Sequence, residues 1–92
     1  MSGTFTVTLK WNYPLNEAVG SDQTELSLKE PITPQGLLTE SIQLYPALKQ
    51  MLEKNNNGEY NVMVINENRL VDVHSPLNDS CRLQVHTTIT GG

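Results

Sequence analysis

The stretch that decides the fold is FTVTLKW at residues 5–11, where apolar and polar side chains alternate without a break. A period of two places the apolar side chains on one face of a half-buried β-strand. After a loop with the turn-like GSD at residues 20–22, residues 24–28 (TELSL) alternate in the same way. The two segments are therefore predicted to form a β-hairpin.

A helix is predicted next, over residues 34–45. Thr33 suits the N-cap position, and Pro34 suits the first helical position. Pro46 should end or kink this helix, because proline lacks the amide hydrogen that the next turn needs, and residues 48–52 could continue as a short further turn of helix. NNNG at residues 55–58 then forms a loop. Apolar side chains recur along one helical face at spacings of four and three: Leu38, Ile42 and Tyr45.

The second half of the chain is predicted to consist of strands. Residues 60–65 (YNVMVI) are rich in β-branched residues and apolar on both faces at their end, which is typical of a strand inside a sheet. Residues 70–73 indicate a short strand, and residues 82–87 alternate again. A right-handed crossover lets the first and last strands pair in parallel at the centre. The order predicts an α+β protein with the β-grasp fold, a mixed sheet of four to five strands with one main helix across it.

The charge balance limits the possible partners. Six lysines and arginines stand against ten aspartates and glutamates, which gives a net charge of −4. Phosphate backbones and anionic membrane surfaces repel a negative protein, so we expect neither nucleic acid nor membrane as a partner. The sequence begins without the pattern of a signal peptide, and its single cysteine cannot form an internal disulfide. We therefore expect a cytoplasmic protein with one domain over residues 1–92.

No residues are arranged for a familiar kind of catalysis. His74 and His86 have no cysteine or histidine neighbour at metal-ligand spacing, so no metal site is expected. A nucleophilic pair of Cys81 with His86 is conceivable, but Cys81 is more simply a small buried or edge residue. The isolated glycines form no P-loop. We therefore expect this chain to bind no cofactor of its own.

The C-terminal residues HTTITGG, 86–92, are the remaining candidate for chemistry. Glycine has no Cβ, so Gly91 and Gly92 could thread a narrow channel in another protein. Residues 87–92 are predicted to form a flexible tail beyond the last strand, with a reach of about 20 Å. A frayed chain end that happens to be Gly-Gly is the alternative explanation.

Five short segments, spread over nearly the whole chain, match one family: AVGSDQTEL at 18–26, YPAL at 45–48, VINE at 64–67, PLNDS at 76–80 and TGG at 90–92. In these segments the sequence resembles the ubiquitin-like sulfur carriers, and most closely the small subunits of molybdopterin synthase. The resemblance implies a ubiquitin-like domain at residues 1–92 with its tail at residues 87–92.

The resemblance also implies that Gly92 is the carrier group. A ubiquitin-activating-type enzyme would use ATP and magnesium to adenylate the Gly92 carboxylate, and a sulfur donor would displace AMP to leave a thiocarboxylate. In molybdenum cofactor biosynthesis the loaded tail enters a large sulfur-transfer subunit, so this chain would be a non-catalytic subunit. The residues expected to contact the partner's channel are Gly91, Thr90, Ile89, Thr88 and His86.

Two features of the C-terminal segment depart from the molybdopterin branch. Thr87-Thr88 stands where that branch usually has Pro-Pro, so a less stiff tail is expected, and His86 stands where an apolar residue is common. Three other functions stay open. The chain could be a protein modifier joined through Gly92 to target lysines, a sulfur carrier for thiamine, cysteine or tRNA thiolation, or a plain β-grasp binding module.

Overall fold

The computed structural model describes residues 3–54 and 56–87. These ranges contain five strands, two α-helices and one 3₁₀ helix. In chain order they are β1 (Phe5–Trp11), α1 (Leu15–Val19), β2 (Gln23–Leu28), α2 (Pro34–Leu44), the 3₁₀ helix (Pro46–Gln50), β3 (Val62–Asn66), β4 (Arg69–Leu70) and β5 (Cys81–Thr87).

The strands form one mixed sheet in the order β2-β1-β5-β3-β4. β1 pairs antiparallel with β2 and parallel with β5, where Leu9 lies opposite Leu83. β3 is antiparallel to both of its neighbours, β5 and β4. The predicted hairpin and the predicted central parallel pair are both confirmed.

The main helix begins and ends close to the predicted positions. Thr33 is the N-cap, and its side-chain oxygen accepts a hydrogen bond of 3.0 Å from the Gly36 amide. α2 ends at Leu44, and Tyr45 forms its C-cap ahead of Pro46. No helix among the described residues is long and apolar enough to cross a membrane.

The buried face of α2 differs in part from the predicted stripe. Leu38 is buried as expected, whereas Ile42 and Tyr45 are only half-buried at the margin of the core. The fully buried positions next to Leu38 are Leu37 and Ser41. Ser41 is tolerated there because its hydroxyl donates to the Leu37 carbonyl oxygen, at 2.8 Å.

The core lies between α2 and one face of the sheet. Its strand residues are Val7, Leu9 and Trp11 of β1, Val64 of β3, and Leu83 and Val85 of β5. Full burial of such side chains contributes roughly 1.5–3 kcal/mol each to folding. The indole nitrogen of Trp11 donates to the Thr24 hydroxyl at 2.9 Å, and that hydroxyl donates to the Tyr45 hydroxyl at 3.3 Å. The largest core side chain therefore has no unsatisfied polar atom.

Three elements differ from the sequence-based expectation. The segment expected to be a loop after β1 contains α1, whose Leu15 is fully buried and whose C-cap is Gly20, with φ of +83°. β3 begins at Val62, because Tyr60 instead forms an isolated bridge with Lys54. β4 is shorter than the predicted residues 70–73 and starts one residue earlier.

Candidate functional site

The candidate site begins where β5 ends. His86 lies opposite Met63, and Thr87 lies opposite Val62 at the first residue of β3. Thr87, predicted as the first tail residue, is thus the last residue of the strand. A proline at this position would offer no amide hydrogen to the ladder, so threonine is compatible with the longer strand.

Most of the predicted site residues follow that point. Gly92, the predicted carrier residue, lies outside the described residues, and so do the predicted channel contacts Thr88, Ile89, Thr90 and Gly91. The predicted flexibility of this segment therefore stays a prediction. His86 is the predicted site residue that the structure does place.

Asn12 anchors the end of β5 to the end of β1. Its backbone amide donates to the Val85 carbonyl oxygen at 3.1 Å, and its side-chain Nδ2 donates to the same oxygen at 3.2 Å. Two donors from one residue therefore hold β5 immediately before His86. These two hydrogen bonds join the last residues of β5 to the residue that directly follows β1.

The His86 ring is also tied to the sheet. Its Nε2 lies 3.3 Å from Asn12 Nδ2 and 3.2 Å from Gln84 Oε1. An unprotonated Nε2 can accept from the amide nitrogen of Asn12, and a protonated Nε2 can donate to the amide oxygen of Gln84. Either tautomer of His86 thus has a hydrogen-bond partner, which keeps the ring beside the strand.

The sheet face opposite α2 carries an apolar strip next to this site. Cross-strand register places Met63, Ile65 and Leu70 together on this open face. Met63 is 40% exposed and Leu70 is 72% exposed. Exposed apolar side chains grouped in this way mark interaction surfaces more often than isolated ones do.

Cations lie beside the apolar strip. A shallow depression of about 520 Å³ is lined by Lys10, Ile65, Glu67 and Arg82 among others. It therefore carries two positive side chains against one carboxylate, in a chain whose net charge is −4. The combination of cations and apolar surface fits a protein partner with acidic and apolar side chains.

Cys81 lies at the other end of β5 from His86. Burial raises the pKa of its thiol, and the negative charge of Asp79 raises it further. His86 lies five positions after Cys81 in β5, which corresponds to about 16 Å and to opposite faces of the sheet. The structure thus offers no thiolate–imidazole pair, and Cys81 packs against the core as a small partly buried residue.

His74 lies in the turn after β4. Its backbone amide donates a hydrogen bond to Asp72 Oδ1 at 2.9 Å, and its side-chain Nε2 lies 2.5 Å from Glu59 Oε2. Within residues 3–54 and 56–87, no three histidine, cysteine or acidic side chains are grouped to hold a metal ion. His74 thus joins two loops.

The architecture matches known structures over nearly the whole chain. Small archaeal modifier protein 1 from Haloferax volcanii superposes with a TM-score of 0.77 and 16% identity, covering 92% of this chain and 99% of that protein. The protein of the same name from Methanosarcina acetivorans superposes with a TM-score of 0.73 and 22% identity, covering 98% of this chain and 99% of that protein. A putative molybdopterin converting factor subunit 1 from Pyrococcus furiosus superposes with a TM-score of 0.74 and 20% identity, covering 92% of this chain and 99% of that protein.

The chain has the ubiquitin-like β-grasp fold. The predicted fold class is thereby confirmed, and so is the resemblance to the ubiquitin-like sulfur carriers at the level of fold. No protein-family model matches the sequence, and no curated protein sequence matches it either. At identities of 16% to 22% the similarity shows the fold alone.

Sequence reasoning missed two parts of this β-grasp site. Asn12 directly follows an alternating strand, and the parallel register that brings it to Val85 joins residues far apart in the sequence. The apolar strip was visible as a strand that is apolar on both faces, but that pattern indicated burial on both sides. In the structure, α2 covers only one of them.

Proposed function

We propose that this chain is a sulfur carrier whose Gly92 carboxylate is adenylated and then converted to a thiocarboxylate. The observation that carries the proposal is the end of β5, which Asn12 fixes at Val85 and from which residues 88–92 continue toward the reactive group. Because Thr87 belongs to β5, the segment beyond the strand has five residues, 88–92, which can span about 17 Å when extended. A segment that follows an anchored strand and ends in Gly91-Gly92, which have no side chains, suits insertion into a partner's active site.

The chemistry needs activation because a carboxylate is a poor acyl donor. An oxygen of the Gly92 carboxylate attacks the α-phosphorus of ATP and releases pyrophosphate, with magnesium held by the partner. Hydrosulfide, the sulfide-level form of the sulfur donor, then attacks the acyl carbon, the C–O bond to AMP breaks and AMP leaves, so that the thiocarboxylate forms without oxidation or reduction. The activating enzyme and a sulfur-transfer subunit supply the catalytic side chains, and this chain supplies the acyl group.

The open face supports docking of such a partner. Met63 lies directly opposite His86 in the ladder, so the apolar strip reaches the last residues of β5, immediately before the C-terminal segment. A partner bound there would be positioned to receive residues 88–92. Lys10 and Arg82 would attract acidic side chains of the partner and speed their encounter.

The pathway favoured for this carrier is molybdopterin synthesis in the cytoplasm. The Pyrococcus furiosus neighbour is named as a putative molybdopterin converting factor subunit, and the sequence resemblance is strongest to that branch. Thiamine, cysteine and tRNA thiolation use carriers of the same outline and remain alternatives. The pathway is therefore tested by asking which acceptor molecule receives sulfur from the loaded protein, after loading itself has been demonstrated.

A protein modifier is the second candidate function. Two structural neighbours are named small archaeal modifier protein 1, and this alternative shares the adenylation of Gly92. The two functions differ in the second step, where a target lysine amine replaces the sulfur donor. Conjugates of increased mass would distinguish it from a carrier.

The deciding experiment is the intact mass of the full chain after incubation with a ubiquitin-activating-type enzyme, ATP, magnesium and a sulfur donor. The carrier gains one sulfur in place of one oxygen, and fragmentation locates the change at Gly92. Reactions without ATP or without the enzyme are the controls. An unchanged mass with an enzyme that loads its own carrier would reject the proposal, and a ladder of conjugates would favour the modifier.

A further inference from the structure

A second groove lies where α2 meets the 3₁₀ helix and the segment before β3. Its volume is about 400 Å³, and its apolar floor is formed by Ile42, Leu52 and Tyr60. Leu52 and Tyr60 are buried, and Ile42 is half-buried. The groove belongs to the helical side of the sheet, so it is separate from the open face.

The floor of this groove is held by specific contacts. Thr39 Oγ1 lies 3.1 Å from the Tyr60 hydroxyl and donates to the Gln35 carbonyl oxygen at 3.2 Å, so the Tyr60 hydroxyl is the donor to Thr39. Lys54 Nζ lies 5.3 Å from the centre of the Tyr60 ring, within the range of a cation–π contact. The aromatic ring is thus held at its hydroxyl by Thr39 and over one face by Lys54, so the floor of the groove is preformed.

The groove has a charge opposite to that of the whole chain. Lys49 and Lys54 line it, and none of its lining residues is a carboxylate. These are two of the four lysines in a chain of net charge −4. The charged side chains that line the groove are therefore both positive and lie beside an apolar floor, which complements an apolar ligand that carries negative charge.

We propose that this groove binds an amphipathic peptide segment of a partner protein, with aliphatic side chains toward Ile42 and acidic side chains toward Lys49 and Lys54. The volume accommodates a few side chains, and the groove is open to solvent along a helix, as in helix-in-groove recognition. Thr39 and Gln43 give its rim polar groups, which suit a peptide better than a lipid chain.

This inference goes beyond the proposed sulfur-carrier function and does not depend on it. The groove and the apolar strip lie on opposite sides of the sheet, so one partner could hold the protein while another processes its C-terminal segment. The bound partner would not compete with the activating enzyme for Met63 or Leu70.

The test follows backbone amide chemical shifts of the full chain during titration with two designed helical peptides. One carries leucines on one face and glutamates on the other, and the second carries lysines in place of the glutamates. The glutamate peptide should perturb Ile42, Gln43 and Tyr60 and bind about tenfold more tightly than the lysine peptide. Added salt should weaken its binding.

Variants separate the groove from general charge. The double variant Lys49→Glu/Lys54→Glu should lose about tenfold in affinity for the glutamate peptide, while Lys29→Glu, an exposed lysine outside the groove, should bind as the parent does. Thermal midpoints check that each variant is folded. The proposal is overturned by equal affinity for both peptides, by equal loss in the Lys29→Glu control, by no shifts, or by shifts confined to the open face. Laurate binding at these residues without peptide binding would also overturn it.

Discussion

The two faces of the sheet carry similar apolar side chains in different environments. Val64 and Met63 are neighbours in β3, yet Val64 is 2% exposed under α2 and Met63 is 40% exposed on the open face. The same strands therefore supply the core on one side and leave apolar surface for a partner on the other. Stability and partner binding should accordingly be separable by substitutions at adjacent residues.

The largest expected effect concerns the C-terminal segment, which follows β5, a strand with one side chain row on each face of the sheet. Deleting Gly92 should abolish sulfur loading, because a shift of even about 1 Å in a reacting atom can cost about a hundredfold in rate. The free energy of unfolding should stay unchanged. Loading is followed by intact mass and stability by chemical denaturation. Deleting Gly3 is the control, since it also shortens the chain by one residue, and parental loading by the Gly92 deletion would end both the carrier and the modifier hypotheses.

The second effect concerns the covered face. Leu83→Ala should lower the free energy of unfolding by about 2–5 kcal/mol, because Leu83 is 0% exposed and its truncation leaves a cavity. Gln84→Ala, on the open face one residue later, should change it by less than about 0.5 kcal/mol. Urea denaturation measures both. Equal losses in the two variants would mean that the faces do not differ as described.

The third effect concerns the open face. Met63→Asp should weaken binding to the activating enzyme by about tenfold, because it places a charge in the apolar strip. Its free energy of unfolding should fall by no more than about 1 kcal/mol, the range of strand propensity, because Met63 is partly exposed. Met63→Leu keeps the apolar surface and should bind normally. The docking hypothesis would fail if the Met63→Asp variant bound as tightly as the parent in a titration.

The smallest effect concerns Asn12, which holds the end of β5. Asn12→Ala removes the side-chain hydrogen bond to the Val85 carbonyl oxygen and should lower the free energy of unfolding by about 1 kcal/mol. Amide hydrogen exchange should also become faster near the end of β5. Gln50→Ala, at an exposed position in the 3₁₀ helix, is the control. Unchanged amide hydrogen exchange rates in Asn12→Ala would show that this residue does not hold the end of β5.

The sequence was sufficient for most of the fold, because alternation directly reports which side of a strand is buried. It was insufficient for α1, since a helix of five residues is too short to show a helical period. It was also ambiguous for β3, because apolar residues on both faces fit either a strand covered twice or an exposed patch. Which of these holds depends on how many helices cover the sheet, and that is a property of the whole chain.

The site was less accessible to prediction than the fold. His86 could be chosen from its place before the terminal residues, but Asn12 becomes relevant only through the register of a parallel pair. The groove at Tyr60 depends likewise on contacts between α2 and a distant segment. Local patterns do not contain such pairings, whereas strand and helix periods are local.

The position of Trp11 makes the protein a convenient optical reporter. It is the only tryptophan, it is 1% exposed, and its indole nitrogen is bonded to Thr24 in the core. Its emission should therefore shift when the core opens and should stay constant when a tryptophan-free peptide occupies either side of the sheet. Unfolding and peptide occupancy can thus be read independently in one sample, with intrinsic fluorescence for the first and a dye on the peptide for the second.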